Sequence, residues 1–114
     1  MNEINSAPLN TLPAYQREVA SFVQKFDLET PVENRLLDLI SEVGELAKEA
    51  LKGNDYGRAE FDPTEIWEDE IGDVFFSLIC VANTSGILMQ KALQRAMTKY
   101  HRRIIELGGV GSGD

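Results

Sequence analysis

Apolar side chains recur at three- and four-residue steps along four stretches of the chain, the spacing that predicts α-helices with one buried face. The first stretch runs from Tyr15 to Phe26. The second begins at Thr30-Pro31-Val32-Glu33, which has the pattern of a capping box with proline in the first helical position, and Gly53 is its natural end. Its predicted inward face consists of Val32, Leu36, Ile40, Val43, Leu46, Ala47 and Ala50.

A polar loop is predicted for residues 53–62, and two further helices follow it. Asp62-Pro63-Thr64-Glu65 repeats the cap–proline–glutamate pattern and predicts the start of the third helix, which Thr84-Ser85-Gly86 ends. The fourth helix ends at Gly108. The predicted inward face of this fourth helix consists of Leu88, Ala92, Leu93, Ala96, Tyr100, Ile104 and Leu107.

Four helices with short connections and almost no strand signal predict an all-α fold, a four-helix bundle with antiparallel neighbours. At 114 residues the chain is expected to be a single domain, residues 1–114, with its core at about residues 12–107. The polar segment 1–11 and the Gly- and Ser-rich segment 108–114 are predicted to be flexible ends.

The third predicted helix is apolar on almost every side from Val74 to Ala82. Phe76 and Cys80 lie opposite its main apolar face, and a single small bundle would cover only one of these two sides. This pattern predicts that the chain associates with copies of itself.

Charge and composition narrow the class of function. With 11 basic and 19 acidic residues the net charge is −8, which disfavours a nucleic-acid polymer as partner because phosphate backbones are held mainly by Lys and Arg. Binding of a free nucleotide is compatible with this negative net charge, since a metal ion can neutralise the phosphates. The lone Cys80 excludes an internal disulfide, and no apolar run has the length of a signal core or a membrane span. These features predict a cytoplasmic domain without membrane contact.

Two acidic pairs carry the candidate chemistry. Glu42 and Glu45 in the second helix, and Glu70 and Asp73 in the third, have i, i+3 spacing, which puts both carboxylates of a pair on one helical face. If the two helices lie side by side, the four carboxylates come together. Mg²⁺ is the ordinary partner of such an all-oxygen cluster, with Mn²⁺ as a substitute.

An ordinary structural explanation competes with the metal site. The acidic stripe of the second helix could simply face water, as most charged stripes do. Its members are Asp38, Glu42, Glu45 and Glu49. Glu70 and Asp73, however, border the apolar segment that starts at Val74, where an unpaired carboxylate is costly. This setting favours a metal as the partner of the acids.

A basic stripe on the fourth helix leaves three interpretations open. Its members are Lys91, Arg95, Lys99, Arg102 and Arg103. They could provide surface solubility, pair with acids of a neighbouring subunit, or bind phosphate, for which Lys and Arg are the usual donors. Acid cluster and basic stripe together are the composition expected of a Mg²⁺–polyphosphate site. Trp67 could stack on a nucleotide base, although a tryptophan at the start of an apolar face usually packs in the core.

Two segments of the chain resemble the all-α nucleoside triphosphate pyrophosphohydrolases of the MazG type, relatives of the dimeric dUTPases. They are Leu39-Ile40-Ser41-Glu42-Val43-Gly44-Glu45-Leu46 and Trp67-Glu68-Asp69-Glu70-Ile71-Gly72-Asp73-Val74-Phe75-Phe76, and the resemblance extends from about Tyr15 to Arg103. The family pattern, Glu-Glu-x-x-Glu followed by Glu-x-x-Asp, matches here except at its first glutamate, where this chain has Ser41. That difference removes a contact to metal-bound water and bears on metal affinity or stoichiometry.

The resemblance implies a bundle assembled as a homodimer or homotetramer (a dimer of dimers), with sites at or near subunit boundaries. It implies that Glu42, Glu45, Glu70 and Asp73 are the metal ligands of the catalytic site. It also implies that Asn83, Lys99 and Arg102 lie near the nucleotide.

The expected function is therefore Mg²⁺-dependent hydrolysis of a nucleoside triphosphate to the monophosphate and pyrophosphate, which in this family clears unwanted nucleotides. Two alternatives remain at this stage. One is a non-catalytic helical oligomer or partner-binding module in which both charged stripes are interface features. The other is a phosphohydrolase for a different diphosphate-containing metabolite. Base and sugar preference do not follow from the sequence.

Overall fold

The computed structural model describes residues 10–108, and it contains four α-helices in this range. They are α1 (Leu12–Lys25), α2 (Val32–Gly53), α3 (Trp67–Thr84) and α4 (Met89–Leu107). The all-α prediction is confirmed. The flexible ends predicted for residues 1–11 and 108–114 fall almost entirely on residues 1–9 and 109–114, which lie outside the described residues.

The ends of three helices follow from local sequence. Thr11 caps α1, where its hydroxyl oxygen accepts a hydrogen bond from the backbone N–H of Ala14 at 3.2 Å. α2 ends at Gly53, as predicted. Gly108 follows α4 with φ of 75° and ψ of 12°, the left-handed conformation that glycine adopts without steric cost.

The capping box predicted for α2 does not form, although the helix starts where expected. Pro31 occupies the cap position and has no side-chain acceptor for the free N–H groups of the first turn. Thr30 lies one residue too early for that role, and its hydroxyl accepts a hydrogen bond from the Asn34 side chain at 2.7 Å instead.

The predicted start of α3 at Asp62 is wrong, since the helix begins at Trp67. The intervening residues are tied to the end of α2. The N–H of Asp62 donates to the carbonyl of Gly53 at 2.9 Å, and the Thr64 hydroxyl donates to the Glu49 carboxylate at 2.6 Å. Because Asp62, the predicted cap, and Thr64 are both bonded to α2, no helix starts at this pattern.

The helices form an open arrangement rather than a closed bundle. α2 and α3 make an antiparallel pair, α1 packs against α3 and α4, and α4 leaves α3 at an angle of 102°. The radius of gyration is 17.4 Å, against about 13 Å for a compact domain of 100 residues. The open shape leaves long helical faces uncovered within one chain.

The inward faces predicted for α2 and α4 are wrong for the single chain. In α2 the buried residues are Arg35 and Glu49, because its polar stripe faces α3. Its apolar stripe is exposed, with Ile40 at 60% and Leu36 at 49%. The predicted inward residues of α4 that are exposed are Leu88, Ala92, Leu93, Tyr100, Ile104 and Leu107.

The apolar surface of α3 is covered only in part within the chain. Ile79 and Cys80 are 3% and 2% exposed, and Phe76 is half-buried with its ring 6.2 Å from that of Phe22 in α1. Three large apolar side chains of α3 remain 40–45% exposed: Ile71, Phe75 and Leu78. A single chain therefore leaves free apolar surface on α3 as well as on α2 and α4.

Within residues 10–108 no individual helix combines the length and apolar character needed to cross a membrane. Only α3 and α4 taken together pass that test, and the chain is bent by 102° between them.

Candidate metal centre and nucleotide site

Three carboxylates from α2 and α3 meet at one place in the fold. Glu42, Glu70 and Asp73 each offer an oxygen atom, and these oxygens all lie within 4.8 Å of one another. Glu42 and Glu70 are half-buried and Asp73 is exposed. The antiparallel pairing of α2 with α3 brings the two acidic motifs level with each other, as the spacing predicted.

Glu45 does not belong to this group of three, although the sequence predicted it there. Its side chain is exposed, one turn of α2 beyond Glu42. Its charge still acts on Glu70, whose pKa it helps to raise. Glu45 therefore borders the cluster without completing it in a single chain.

Glu70 is the carboxylate whose titration the cluster changes. Loss of solvent on partial burial raises the pKa of Glu70 above its ordinary value, and the negative charges of Asp73, Glu45, Glu42 and Glu49 raise it further. All the charged groups that shift this pKa are acidic. A cation at this position would therefore meet a local excess of negative charge.

The donor set fits a divalent cation that prefers oxygen. Mg²⁺ holds its ligands at about 2.0–2.1 Å, so two oxygens on opposite sides of one ion are about 4.2 Å apart. The three carboxylate oxygens lie within 4.8 Å of one another, so at most small side-chain rotations are needed to reach that separation. Glu42, Glu70 and Asp73 are therefore the residues that could hold a metal.

A buried carboxylate next to the cluster fastens the loop between α2 and α3. Glu49 is 5% exposed and accepts a hydrogen bond from the Thr64 hydroxyl at 2.6 Å, and its other oxygen pairs with Lys52 at 3.2 Å. The Thr64 hydrogen bond lowers the pKa of Glu49, against the opposing effect of burial, and Lys52 lowers it as well. The sequence placed Glu49 on the acidic stripe but did not indicate this anchoring contact.

Trp67, a predicted base-stacking residue, begins α3 one turn before Glu70. It is half-buried, and its ring packs edge-on against Phe61 at 5.0 Å. Phe61 in turn lies close to Gly53, where a side-chain carbon would approach the ring to 2.7 Å. Trp67 thus takes part in packing the loop at the end of α2.

Asn83, a predicted nucleotide contact, is held by α1. Its amide N–H donates to the backbone carbonyl of Gln16 at 2.9 Å, and its side-chain oxygen accepts from the Gln16 amide at 2.9 Å. Gln16 also reaches the carbonyl of Ile87 and the N–H of Met89, each at 2.9 Å. A further contact to Asn83 would use its second N–H or second lone pair. The sequence did not indicate that Gln16 would link α1 to the end of α3 and the start of α4.

Lys99 and Arg102, the predicted phosphate contacts, are on a different surface from the acids within one chain. Both line a groove formed by α4 and the turn that precedes it, together with Lys91 and Arg95. Lys99 lies 5.2 Å from the centre of the Tyr100 ring, and Arg102 pairs with Glu106 at 3.1 Å. The single chain does not bring the basic stripe onto the carboxylate cluster.

A cavity of about 320 Å³ lies between α1, α2 and α3, on the same α2–α3 seam as the acids. Its wall includes Asn83, Cys80 and the buried Arg35. Burial raises the pKa of the Cys80 thiol, partly offset by the positive charge of Arg35. Arg35 carried no distinctive signal in the sequence, because it lies alone among apolar and acidic residues.

Comparison with known proteins places this architecture in a family. A model of the MazG nucleotide pyrophosphohydrolase domain matches residues 30–106, a segment that includes all four predicted metal ligands. The chain belongs to the MazG nucleotide pyrophosphohydrolase domain family. The resemblance seen in the sequence is thereby confirmed.

Individual relatives are similar to the chain in sequence and in fold. YpjD of Bacillus subtilis strain 168, a protein described as uncharacterised, is 41% identical over 68 residues, which are 57% of this chain and 60% of YpjD. The matched segment is thus less than two thirds of that relative's length. The crystal structure of YpjD, a proposed pyrophosphatase, has a TM-score of 0.66 at 34% identity, covering 82% of this chain and 96% of that one.

A second crystal structure, of a MazG protein conserved in Bacillus and described as a nucleotide pyrophosphohydrolase, has a TM-score of 0.68 at 30% identity. It covers 80% of this chain and 89% of the other. The four-helix MazG-like fold is therefore shared with solved structures over most of the described residues.

Proposed function

We propose that the protein hydrolyses nucleoside triphosphates to the monophosphate and pyrophosphate in a reaction that depends on Mg²⁺. The observation that carries the proposal is the meeting of Glu42, Glu70 and Asp73 within 4.8 Å, inside the segment that matches the MazG domain. A divalent cation bound there would relieve the repulsion within this acid cluster.

Glu42, Glu70 and Asp73 would hold the ion, with Glu45 as an additional ligand or as the acceptor of a proton from water. Mg²⁺, when bound, would neutralise phosphate charge and make a nearby water more acidic. In the balanced reaction, the oxygen of water bonds to the α-phosphorus and the bond between that phosphorus and the α–β bridging oxygen breaks. Pyrophosphate takes the electron pair, and the proton of the water passes to a carboxylate or to solvent.

The phosphate contacts would come from a second chain. Lys99 and Arg102 line a groove along α4 to which none of the three clustered carboxylates contributes. Exposed apolar residues on α2 and α4 give two copies a surface on which to associate, for example Leu37 at 64% and Ile104 at 54% exposure. A homodimer or homotetramer could then bring the basic stripe of one chain to the acids of another.

The test is product analysis with purified protein, Mg²⁺ and a panel of canonical and modified nucleotides. We expect pyrophosphate and the monophosphate in equal amounts. Asp73→Ala and Glu45→Ala should lower turnover by orders of magnitude while the helical content stays unchanged, because each change removes a carboxylate from the metal centre. Asp69→Asn, an exposed acid beside Glu70 and outside the cluster, is the matched control and should retain activity.

Other outcomes identify the alternatives. Release of orthophosphate, or turnover only of another diphosphate compound, would point to a different phosphohydrolase. No turnover of any nucleotide with Mg²⁺ or Mn²⁺ would support a non-catalytic oligomer, for which the exposed apolar faces of α2 and α4 also provide the surface. Near-normal activity in both Ala variants would contradict the metal-site assignment.

A further inference from the structure

The cavity on the α2–α3 seam has a wall of mixed polarity. Its apolar lining includes Cys80, and its polar lining comes from Gln24, Glu29, Thr30, Arg35, Asn83 and Thr84. A volume of about 320 Å³ is at the lower end of the range of small-molecule sites. The space is therefore large enough for a flat ring system and offers both donors and acceptors.

Arg35 is the unusual member of this wall. Its residue is 9% exposed, yet among the described residues its guanidinium makes one hydrogen bond, to the carbonyl of Leu28 at 2.6 Å, and no ion pair. A guanidinium has five N–H groups, and a buried charge is ordinarily paired. The other N–H groups of Arg35 are available to an acceptor in the cavity that it lines.

Glu29 adds the opposite chemistry to the same cavity. Arg35 and Glu29 both line the space, but no ion pair within 4.0 Å joins them in the structure. A ligand in this space would meet donors from Arg35 and an acceptor from Glu29. A group that presents a carbonyl oxygen beside an N–H satisfies both.

The distance between the cavity and the clustered carboxylates is within the length of a nucleotide. Arg35 precedes Glu42 by seven residues, and Cys80 follows Asp73 by seven, which corresponds to about 10 Å along each helix axis. The cavity and the acid cluster thus lie two helical turns apart on one seam. One nucleotide could extend between the two places.

We propose that this cavity receives the base of the nucleotide and selects bases with a ring carbonyl next to a ring N–H, namely guanine, hypoxanthine, uracil and thymine. Arg35 donates to the carbonyl oxygen and Glu29 accepts from the ring N–H. Adenine and cytosine carry an amino group and a bare ring nitrogen at these positions, so they would leave both side chains unpaired. The inference rests on the proposed function, and it adds the substrate class.

The first experiment compares kcat/KM for GTP and UTP with that for ATP and CTP. Wild-type protein should prefer GTP and UTP by about tenfold or more, the discrimination expected of a site whose polar groups pair with one base edge. Arg35→Met and Glu29→Gln should reduce this preference mainly through KM of the favoured pair. Arg58→Met, in an exposed ion pair with Asp55 on the α2–α3 loop, is the matched control and should keep the preference.

A second experiment needs neither turnover nor a variant. Cys80 lines the cavity and is the one cysteine of the chain, so its rate of alkylation by a maleimide reports occupancy. GMP and UMP should slow alkylation of wild-type protein, and AMP, CMP and inorganic phosphate at equal concentration should not. This measurement stands even if Arg35→Met fails to fold through loss of its Leu28 contact.

The outcomes separate this inference from the proposed function. Selective protection by GMP and UMP without triphosphate hydrolysis would support the base site and overturn the catalytic assignment. Hydrolysis with equal kcat/KM for all four nucleotides would support catalysis and overturn the selectivity. Equal protection by inorganic phosphate would show that Arg35 binds an anion rather than a base, which would also overturn the inference.

Discussion

Glu70 is the residue at which burial and like charge act together on the acid cluster. Its raised pKa means that the folded chain without metal takes up a proton more readily than the unfolded chain does. The stabilising contribution of this group is fully present below the unfolded pKa and is lost as pH rises through the folded pKa. At neutral pH the ionised Glu70 therefore destabilises the metal-free fold.

Glu70→Gln should raise the melting temperature of the metal-free protein at neutral pH, because the neutral amide removes the repulsion from Asp73 and its neighbours. The difference from wild type should narrow as the pH is lowered towards 4.5, the ordinary pKa of a glutamate, since wild-type Glu70 is then protonated. Thermal melts in EDTA over a pH series measure this effect. With saturating Mg²⁺ the wild-type protein should have the higher melting temperature, because the variant has lost a metal ligand.

Glu49→Gln is the control, because its effect on the melting temperature at neutral pH should have the opposite sign. The pKa of Glu49 is lowered, chiefly by the Thr64 hydroxyl, so its stabilising contribution is present above the unfolded pKa and is lost as pH falls through the folded pKa. The variant should melt below wild type at neutral pH. A Glu70→Gln protein that also melts lower without metal would contradict the repulsion account.

At the scale of elements, the loop between α2 and α3 sets how the two acidic motifs meet. It is fastened by backbone bonding between Asp62 and Gly53, by the Thr64–Glu49 hydrogen bond and by packing of Phe61 on Trp67. These contacts fix the start of α3, and Glu70 follows within its first turn. The loop therefore positions the ligands that α3 contributes.

Gly53→Ala should destabilise the protein by about 1–3 kcal/mol, the usual range for overpacking. The new side-chain carbon would lie 2.7 Å from the Phe61 ring and 2.9 Å from the carbonyl oxygen of Asp62, so the loop must shift. Urea unfolding measures the change. The apparent affinity for Mn²⁺ should fall in parallel, because the start of α3 shifts with the loop.

Gly44→Ala is the matched control within α2. Nothing lies within 4 Å of the added carbon, so the substitution should stabilise the helix by about 0.5–1 kcal/mol through the lower chain entropy of alanine. Equal effects of the two substitutions would mean that the tight contact at Gly53 does not constrain the loop.

At the scale of the molecule, the open arrangement leaves apolar faces that one chain does not cover. On α4, Leu93 and Ile104 are 55% and 54% exposed, and on α2 Ile40 is 60% exposed. These residues follow helical spacing, so they form stripes rather than scattered exposed side chains. Stripes of this kind are the surfaces on which we expect copies of the chain to associate.

Leu93→Glu should shift the protein from an oligomer to a monomer of 12.7 kDa in light scattering at micromolar concentration, because a carboxylate would be buried in the interface. Gln94→Glu adds the same charge at the neighbouring polar position and should leave the oligomer intact. A wild-type protein that is already monomeric would contradict both the association and a site shared between chains.

Lys99→Met and Arg102→Met should lower kcat/KM by about tenfold to a hundredfold, corresponding to about 1.5–3 kcal/mol for each charge-assisted hydrogen bond lost. Oligomer size should not change if these side chains bind phosphate. The same substitutions at Lys91 and Arg95, on the same groove, are the controls and should have smaller effects. Small and equal effects at all four positions would indicate that the basic stripe of α4 is only a solvated surface. Dissociation of the oligomer in these variants would indicate that the basic stripe lies in a subunit interface.

The all-α class, the order of four helices and the approach of Glu42 to Glu70 and Asp73 were predictable from sequence. Helical period, glycine stops and the i, i+3 pairs are local properties, and antiparallel pairing follows from a short connection. The start of α3 was not predictable, because Asp62 and Pro63 have the pattern of a helix start until the contacts of Asp62 and Thr64 with α2 are known.

The sequence by itself determined where most of the helices form and that the two acids of each i, i+3 pair share one helical face, because both depend on neighbours within a few residues. Only the tertiary structure decided which face of each helix is buried. In α2 the polar stripe with Arg35 and Glu49 faces α3 and the apolar stripe remains exposed, since periodicity defines two opposite faces but not the partner of either one. The cavity beside Arg35 likewise arises from three helices that are separate in sequence.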